Sequence, residues 1–139
     1  MSGKVIQLRD RAPETEKITI NLGYVDLGRI DLLVQEGFFS NRTDFIRTAI
    51  RNQLRSQSEE VSRSIERHRL EVGLLELGAA ELEAAWAAGE TLHVKVVGLT
   101  CIASDVTPEL ALQTIGSLTV LGALQASREI KAALAARIK

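Results

Sequence analysis

Residues 17–22 show the most regular alternation of polar and apolar positions in the chain. The segment Lys-Ile-Thr-Ile-Asn-Leu switches at every position, and three of its six residues are β-branched. This pattern predicts a half-buried β-strand, which Gly23 ends. The apolar face of the strand consists of Ile18, Ile20 and Leu22. The polar face consists of Lys17, Thr19 and Asn21.

Apolar positions at helical spacing predict two helices after this strand. The first is amphipathic and covers residues 25–36, and Gly37 suits the left-handed conformation that ends helices. Asn41 is a good N-cap for the second helix, and Asp44 suits the positive end of its dipole. The apolar positions of the first helix are Leu27, Ile30, Leu33 and Val34. The expected buried face of the second consists of Phe45, Ile46, Ala49, Ile50 and Leu54.

A lone strand with two helices cannot form a stable fold by itself. Its unpaired N–H and C=O groups need partners, and about 40 residues bury too little apolar surface. Both problems disappear if two copies pair their strands as an antiparallel ribbon and wrap four helices around a shared core. We therefore predict a homodimer or a higher homo-oligomer. Its predicted core consists of Ile18, Ile20, Leu22, Leu27, Ile30, Leu33, Phe45, Ile46, Ala49 and Ile50.

The polar face of such a ribbon has the size and chemistry to read double-stranded DNA. A two-stranded ribbon fits the major groove, which is ~12 Å wide. Lys17 can donate to guanine, Asn21 can pair with adenine, and Thr19 can contact a thymine methyl group. The start of the second helix offers free backbone N–H groups and a positive dipole end for phosphate. The predicted phosphate contacts are Ser40, Asn41, Arg42 and Thr43, with Arg47 as a further candidate on a solvated arginine face.

Residues 17–55 resemble the ribbon-helix-helix (MetJ/Arc/CopG-like) transcription regulators. The matching segments are KITINL for the strand, VDLGRIDLLVQEG for the first helix and FSNRTDFIRTAIRNQLR for the second helix with its cap. The resemblance implies a dimer that reads DNA through Lys17, Thr19 and Asn21 and holds phosphate near residues 41–43. The pair Phe38-Phe39 is more apolar than a simple turn needs. We assign it to the edge of the core or to contact with the rest of the chain.

The remaining sequence divides into three parts. Residues 1–16 are polar, contain Pro13 and show no sustained period, which indicates a flexible arm. Residues 56–69 are charged, with two aliphatic positions at helical spacing, and predict a linker helix or an extension of the second helix. Residues 70–139 are richer in apolar and small side chains, which favours an α/β domain for oligomerisation or sensing.

A weak repeat runs through this C-terminal part. Gly73, Gly98 and Gly122 recur 25 and 24 residues apart, each within an apolar run that a helical pattern follows. The spacing predicts three strand–helix units. Pro108 and Ser127 are suitable residues for the starts of two of the helices. The expected fold class is therefore α+β, with an N-terminal ribbon-helix-helix domain and a small C-terminal strand–helix repeat domain.

Composition excludes several classes of protein. The chain has 139 residues, of which 45% are hydrophobic and 25% are charged, unlike a disordered or collagen-like sequence. No apolar run approaches the ~20 residues that cross a bilayer, so we expect no membrane partner. Cys101 is the only cysteine, which excludes an intrachain disulfide and favours a reducing, cytoplasmic setting on the nucleoid. Aromatic residues make up only 4%, too few for a platform that stacks single-stranded bases.

Charge and candidate chemistry leave binding functions rather than catalysis. Residues 1–55 carry nine Lys and Arg against seven Asp and Glu, and residues 56–139 carry eight against eleven. This difference is too mild to indicate nucleic-acid binding by itself. His68, His93 and Cys101 are too few for a metal sensor. We therefore expect no enzyme activity, no metal and no cofactor.

The leading hypothesis is a sequence-specific DNA-binding transcriptional regulator that acts as a repressor. Two alternatives stay open. One is an antitoxin-type interaction module that captures a toxin and autoregulates its own operon. The other is an architectural protein that coats DNA. In each case residues 70–139 are the candidate site for a protein partner or a small ligand.

Overall fold

The computed structural model describes residues 15–139, so the predicted arm lies outside the described residues except for its last two positions. The chain divides into two compact units, of which Lys17–His68 is one and Arg69–Lys139 belongs to the other. Helices and a three-stranded parallel sheet make up the described part. The α+β class predicted from the sequence is therefore confirmed. Among the described residues, no helix combines the length and the hydropathy that crossing a membrane requires.

The first unit contains three helices, with α1 at Tyr24–Gln35, α2 at Arg42–Ser56 and α3 at Ser58–His68. Gly37 ends the first helix in the predicted left-handed conformation, with φ +86°. The predicted linker helix is α3, which a single residue separates from α2. Residues 17–22 form neither helix nor strand in the single chain. A strand exists only through hydrogen bonds to a neighbouring strand, and for these residues the predicted neighbour is a second copy.

The second unit alternates strands and helices. Its elements are β1 at Glu71–Leu77, α4 at Ala79–Ala87, β2 at Leu92–Ile102, α5 at Pro108–Thr114, β3 at Ile115–Gln125 and α6 at Arg128–Ala133, followed by a 3₁₀ turn at Ala135–Arg137. The strands lie in the order β1-β2-β3, and both pairs are parallel. Thr107 and Ser127 cap α5 and α6 through their hydroxyl oxygens, and Pro108 occupies the first turn of α5. The caps satisfy backbone N–H groups that the helices leave unpaired.

The repeated glycines lie side by side in this sheet. Gly73 pairs with Gly98, and Gly98 pairs with Gly122. All three have positive φ, at +139°, +142° and +126°. A Cβ atom on Gly98 would overlap the carbonyl oxygen of Gly73, and one on Gly122 would overlap that of Gly98. The 24- and 25-residue spacing thus matches a line of close backbone contacts across the strands.

The hydrophobic core lies in the second unit, between the sheet and its helices. Leu82 of α4, Ala111 of α5 and Ile130 of α6 pack there against strand residues such as Val96 and Leu118. Within residues 17–68, by contrast, Ile30 is the only buried side chain. The first unit therefore has helices and caps but almost no core of its own.

Candidate nucleic-acid interface

The segment before α1 presents its aliphatic side chains to water. Ile18 is 71% exposed, Ile20 57% and Leu22 38%. The polar residues between them, Lys17, Thr19 and Asn21, are exposed as well. Removing an aliphatic side chain of this size from water is worth roughly 1.5–3 kcal/mol. Three such residues at alternate positions therefore indicate a surface that another molecule covers.

A cavity of about 530 Å³ lies next to this segment, between α1 and α2. Asp26 and Arg29 contribute to its lining, but most of the lining is apolar. Eight of the ten predicted core residues face it, namely Ile20, Leu22, Ile30, Leu33, Phe45, Ile46, Ala49 and Ile50. The other two, Ile18 and Leu27, do not line it. Helix α2 has no fully buried residue, and much of its apolar face borders this cavity.

The N-terminus of α2 is capped in the predicted way, with one difference. The Asn41 side-chain oxygen accepts a hydrogen bond from the backbone N–H of Asp44 at 2.8 Å. The Asp44 carboxylate accepts one from the N–H of Ser40 at 2.9 Å. In a standard capping box this carboxylate would accept from the N-cap residue itself.

Backbone donors remain in the first turn of this helix. In the described part of the chain, the N–H groups of Arg42 and Thr43 have no hydrogen-bond acceptor. They lie at the positive end of the α2 dipole, beside the exposed side chains of Ser40, Asn41 and Arg47. This arrangement provides the donors and the charge that an anion needs.

The Arg42 side chain already has a partner. Its Nε and Nη2 atoms donate to the two carboxylate oxygens of Asp31 on α1, both at 2.8 Å. The hydrogen bonds from Arg42 are the main reason why the pKa of Asp31 lies below its ordinary value, although slight desolvation opposes them. The same hydrogen bonds, reinforced by the negative charge of Asp31, raise the pKa of Arg42. The pair ties α2 to α1 and compensates the charge of Arg42.

Sequence reasoning missed this ion pair because the partners belong to different helices. The only sequence feature that indicates this ion pair is the presence of opposite charges on either side of the turn.

Phe38 and Phe39 lie in two different environments. Phe39 is half-buried and contacts Phe45 edge to face, with ring centroids 5.0 Å apart, whereas Phe38 is exposed. Phe39 thus helps to cover the apolar side of α2, which agrees with the first of the two predicted roles.

The candidate metal ligands are not assembled into a site. His93 lies on β2, where its Nδ1 atom is 2.9 Å from the hydroxyl oxygen of Ser117 on β3. Cys101 is half-buried on the same strand, near the Gln125 side chain. Within residues 15–139, no group of three or more His, Cys, Asp or Glu side chains is arranged to hold a metal ion.

Comparison with known proteins identifies one family. The family model described as the Ribbon-Helix-Helix transcriptional regulator family matches residues 13–131. The match extends well beyond residues 17–55, on which the resemblance in the sequence rests, and includes all three strands of the second unit. Searches of curated proteins and of solved structures gave no significant match.

Proposed function

The chain belongs to the ribbon-helix-helix transcriptional regulator family, whose members are DNA-binding regulators, and we propose that it is a sequence-specific repressor that works as a dimer. Two copies pair residues 17–22 as an antiparallel ribbon and insert it into the major groove. The observation that carries this proposal is the exposed aliphatic row beside the unfilled cavity. Occupation of an operator by the ribbon blocks transcription sterically.

Dimer formation would give the first unit the backbone hydrogen bonds and the apolar core that it lacks as a single chain. Pairing two copies of the segment satisfies its backbone N–H and C=O groups. It also moves Ile18, Ile20 and Leu22 from water into the space between the helices of both copies. The apolar lining of the cavity makes this burial favourable. Four helices then share one core, with Ile30 already buried at its centre in each copy.

The polar face of the ribbon contacts the bases. Because side chains alternate along a strand, burial of the aliphatic row leaves Lys17, Thr19 and Asn21 facing outward. The dimer supplies each of them twice, related by a two-fold axis. Lysine donates to guanine, asparagine pairs with adenine through two hydrogen bonds, and threonine contacts the thymine methyl group. The ribbon therefore favours an operator with two-fold symmetry.

Phosphate contacts set the position of the ribbon in the groove. The free N–H groups of Arg42 and Thr43 are the primary donors, supported by the side chains of Ser40 and Asn41. Arg47, which is exposed one turn further along α2, adds a positive charge. Arg42 contributes less through its side chain because Asp31 occupies the guanidinium group.

We expect Asn21→Ala to lower discrimination between operator and other DNA by ~1–3 kcal/mol in each half-site, since each copy loses one bidentate base contact. Binding to non-specific DNA should remain, because phosphate contacts supply it. The measurement is a competition titration with an operator selected from random DNA. Asn52→Ala, which removes an exposed asparagine from the later part of α2, is the matched control. Equal losses for specific and non-specific DNA in the Asn21 variant would contradict a base-reading role.

Asp31→Asn, unlike Asn21→Ala, should strengthen DNA binding. The substitution frees the Arg42 guanidinium and removes a negative charge close to the phosphate-binding helix end. Non-specific DNA affinity should rise, and the slope of log K against log salt should steepen by about 0.9 for each added phosphate contact, of which the dimer gains one per copy. Glu36→Gln, at the C-cap of α1, removes the same charge without freeing an arginine. An unchanged slope in the Asp31 variant would show that Arg42 does not reach the backbone.

A further inference from the structure

In the part of the chain that the structure describes, helices cover one face of the sheet of the second unit and leave the other face uncovered. The strand residues in the hydrophobic core alternate along each strand, apart from a β-bulge between Ile115 and Leu118 at the start of β3, and the helix residues of the core pack on this same side. The intervening strand residues face the other way. None of them belongs to the core cluster.

The uncovered face carries an apolar band between two polar ends. Its first row consists of Val72, Val97 and Leu121, which are aligned across the three strands. Its second row consists of Leu74, Leu99 and Ala123. Val72 is 70% exposed and Leu121 is 54% exposed. Lys95 and Thr119 lie beyond the first row, and Glu76, Cys101 and Gln125 lie beyond the second.

An all-parallel sheet with an open apolar face is an incomplete structure. Parallel sheets occur almost only where both faces are covered, because their strands are apolar on both sides. A contiguous apolar band on a sheet is likewise typical of an interface. We propose that this face binds the same face of a second copy, with the strands of the two sheets running in opposite directions.

The residues of the face are complementary to themselves in this orientation. A two-fold axis between the two apolar rows places each row against the other row of the second copy. The large Leu121 then faces the small Ala123, so the two surfaces interlock. The polar ends also exchange places, which brings Lys95 of one copy near Glu76 of the other. The result is an apolar centre with a charged rim, the usual anatomy of a protein interface.

Within one chain, Lys95 and Glu76 lie at opposite ends of this face. Glu76 lies beside Cys101, six residues further along β2 than Lys95. At 3.3 Å per residue, this separation is about 20 Å. The opposite charges at the two ends of the face therefore fit a second copy in reversed orientation. If the strands of the two copies ran in the same direction, Glu76 would instead lie near the acidic and neutral end of the other copy's face.

Thiol crosslinking tests this interface in the full chain without DNA. Thr119→Cys places a second thiol at the lysine end of the face, while Cys101 marks the other end. Between copies, the reversed orientation brings these thiols within reach of a bismaleimide that spans the ~10 Å between packed sheets. Within one chain, about 20 Å separates them. We expect covalent dimers on a denaturing gel. The parent protein, with Cys101 alone, should give almost none.

Two leucine variants identify the surface responsible. Leu121→Glu, made in the Thr119→Cys protein, should abolish the crosslinked dimer because it places a charge in the apolar band. Leu112→Glu changes an exposed leucine of α5 in the same way and should leave the crosslink intact. The proposal is overturned if Thr119→Cys crosslinks no more than the parent or if the parent itself crosslinks efficiently through Cys101. It is also overturned if both leucine variants behave alike. DNA binding by the first unit plays no part in the readout.

Discussion

Ile20→Asp should lower DNA affinity by at least ~100-fold, equivalent to about 3 kcal/mol, because it places an unpaired charge in the dimer core. In the single chain Ile20 is 57% exposed, so an aspartate there would remain hydrated at little cost. In the proposed dimer this side chain, which already lines the cavity between α1 and α2, would be buried there by the second copy. The effect on the free energy therefore arises only when two copies meet. Fluorescence anisotropy with labelled duplex DNA measures it, and a thermal melt followed by circular dichroism reports the accompanying loss of helix stability.

The matched control is Trp86→Asp on α4. Trp86 is 56% exposed, nearly the same as Ile20, and lies in the other unit. Its substitution should leave DNA affinity and the melting of the first unit unchanged. If Ile20→Asp binds DNA as well as Trp86→Asp does, the aliphatic row is merely exposed and the dimer core lies elsewhere.

Gly98→Ala should destabilise the second unit by more than about 3 kcal/mol. Holding alanine at a φ of +142° costs roughly 1–3 kcal/mol by itself. The added methyl group would also overlap the carbonyl oxygen of Gly73, which belongs to the backbone of the adjacent strand and cannot rotate away. The sheet would have to separate locally at β1. Chemical denaturation measures the loss in unfolding free energy.

Gly73→Ala separates the two causes. Gly73 has nearly the same φ, +139°, but among the described residues no heavy atom beyond its chain neighbours lies within 4 Å of the position its Cβ would take. The Gly73→Ala protein should therefore lose only the unfolding free energy that comes from the unfavourable backbone conformation. The difference in unfolding free energy between the two variants gives the cost of the overlap. Equal losses would contradict the close contact between β1 and β2 at this point.

Local features of the first unit could be predicted from the sequence. The Asn41 cap, the left-handed Gly37 and the two helices all follow from preferences of a few neighbouring residues, and each is confirmed. The same holds for the hydroxyl cap at Ser127. These features depend on backbone groups that lie within one turn of the side chain, so tertiary contacts do not alter them.

Contacts between elements could not be predicted in this way. The pairing of Arg42 with Asp31 depends on the angle between α1 and α2, which no local preference sets. The open face of the sheet depends on strand register, since a shift by one residue would exchange the two faces. The glycine spacing was visible, but its alignment across β1, β2 and β3 appears only in three dimensions.

The central claim is that residues 17–22 of two copies pair with each other. Isotope-filtered NMR on a dimer mixed from labelled and unlabelled chains tests it directly, because only contacts between copies give a signal. We expect intermolecular contacts among the backbone protons of residues 17–22 in an antiparallel pattern, together with contacts from Ile20 to α2 of the other copy. Absence of such contacts, with residues 17–22 paired instead to another segment of their own chain, would contradict it.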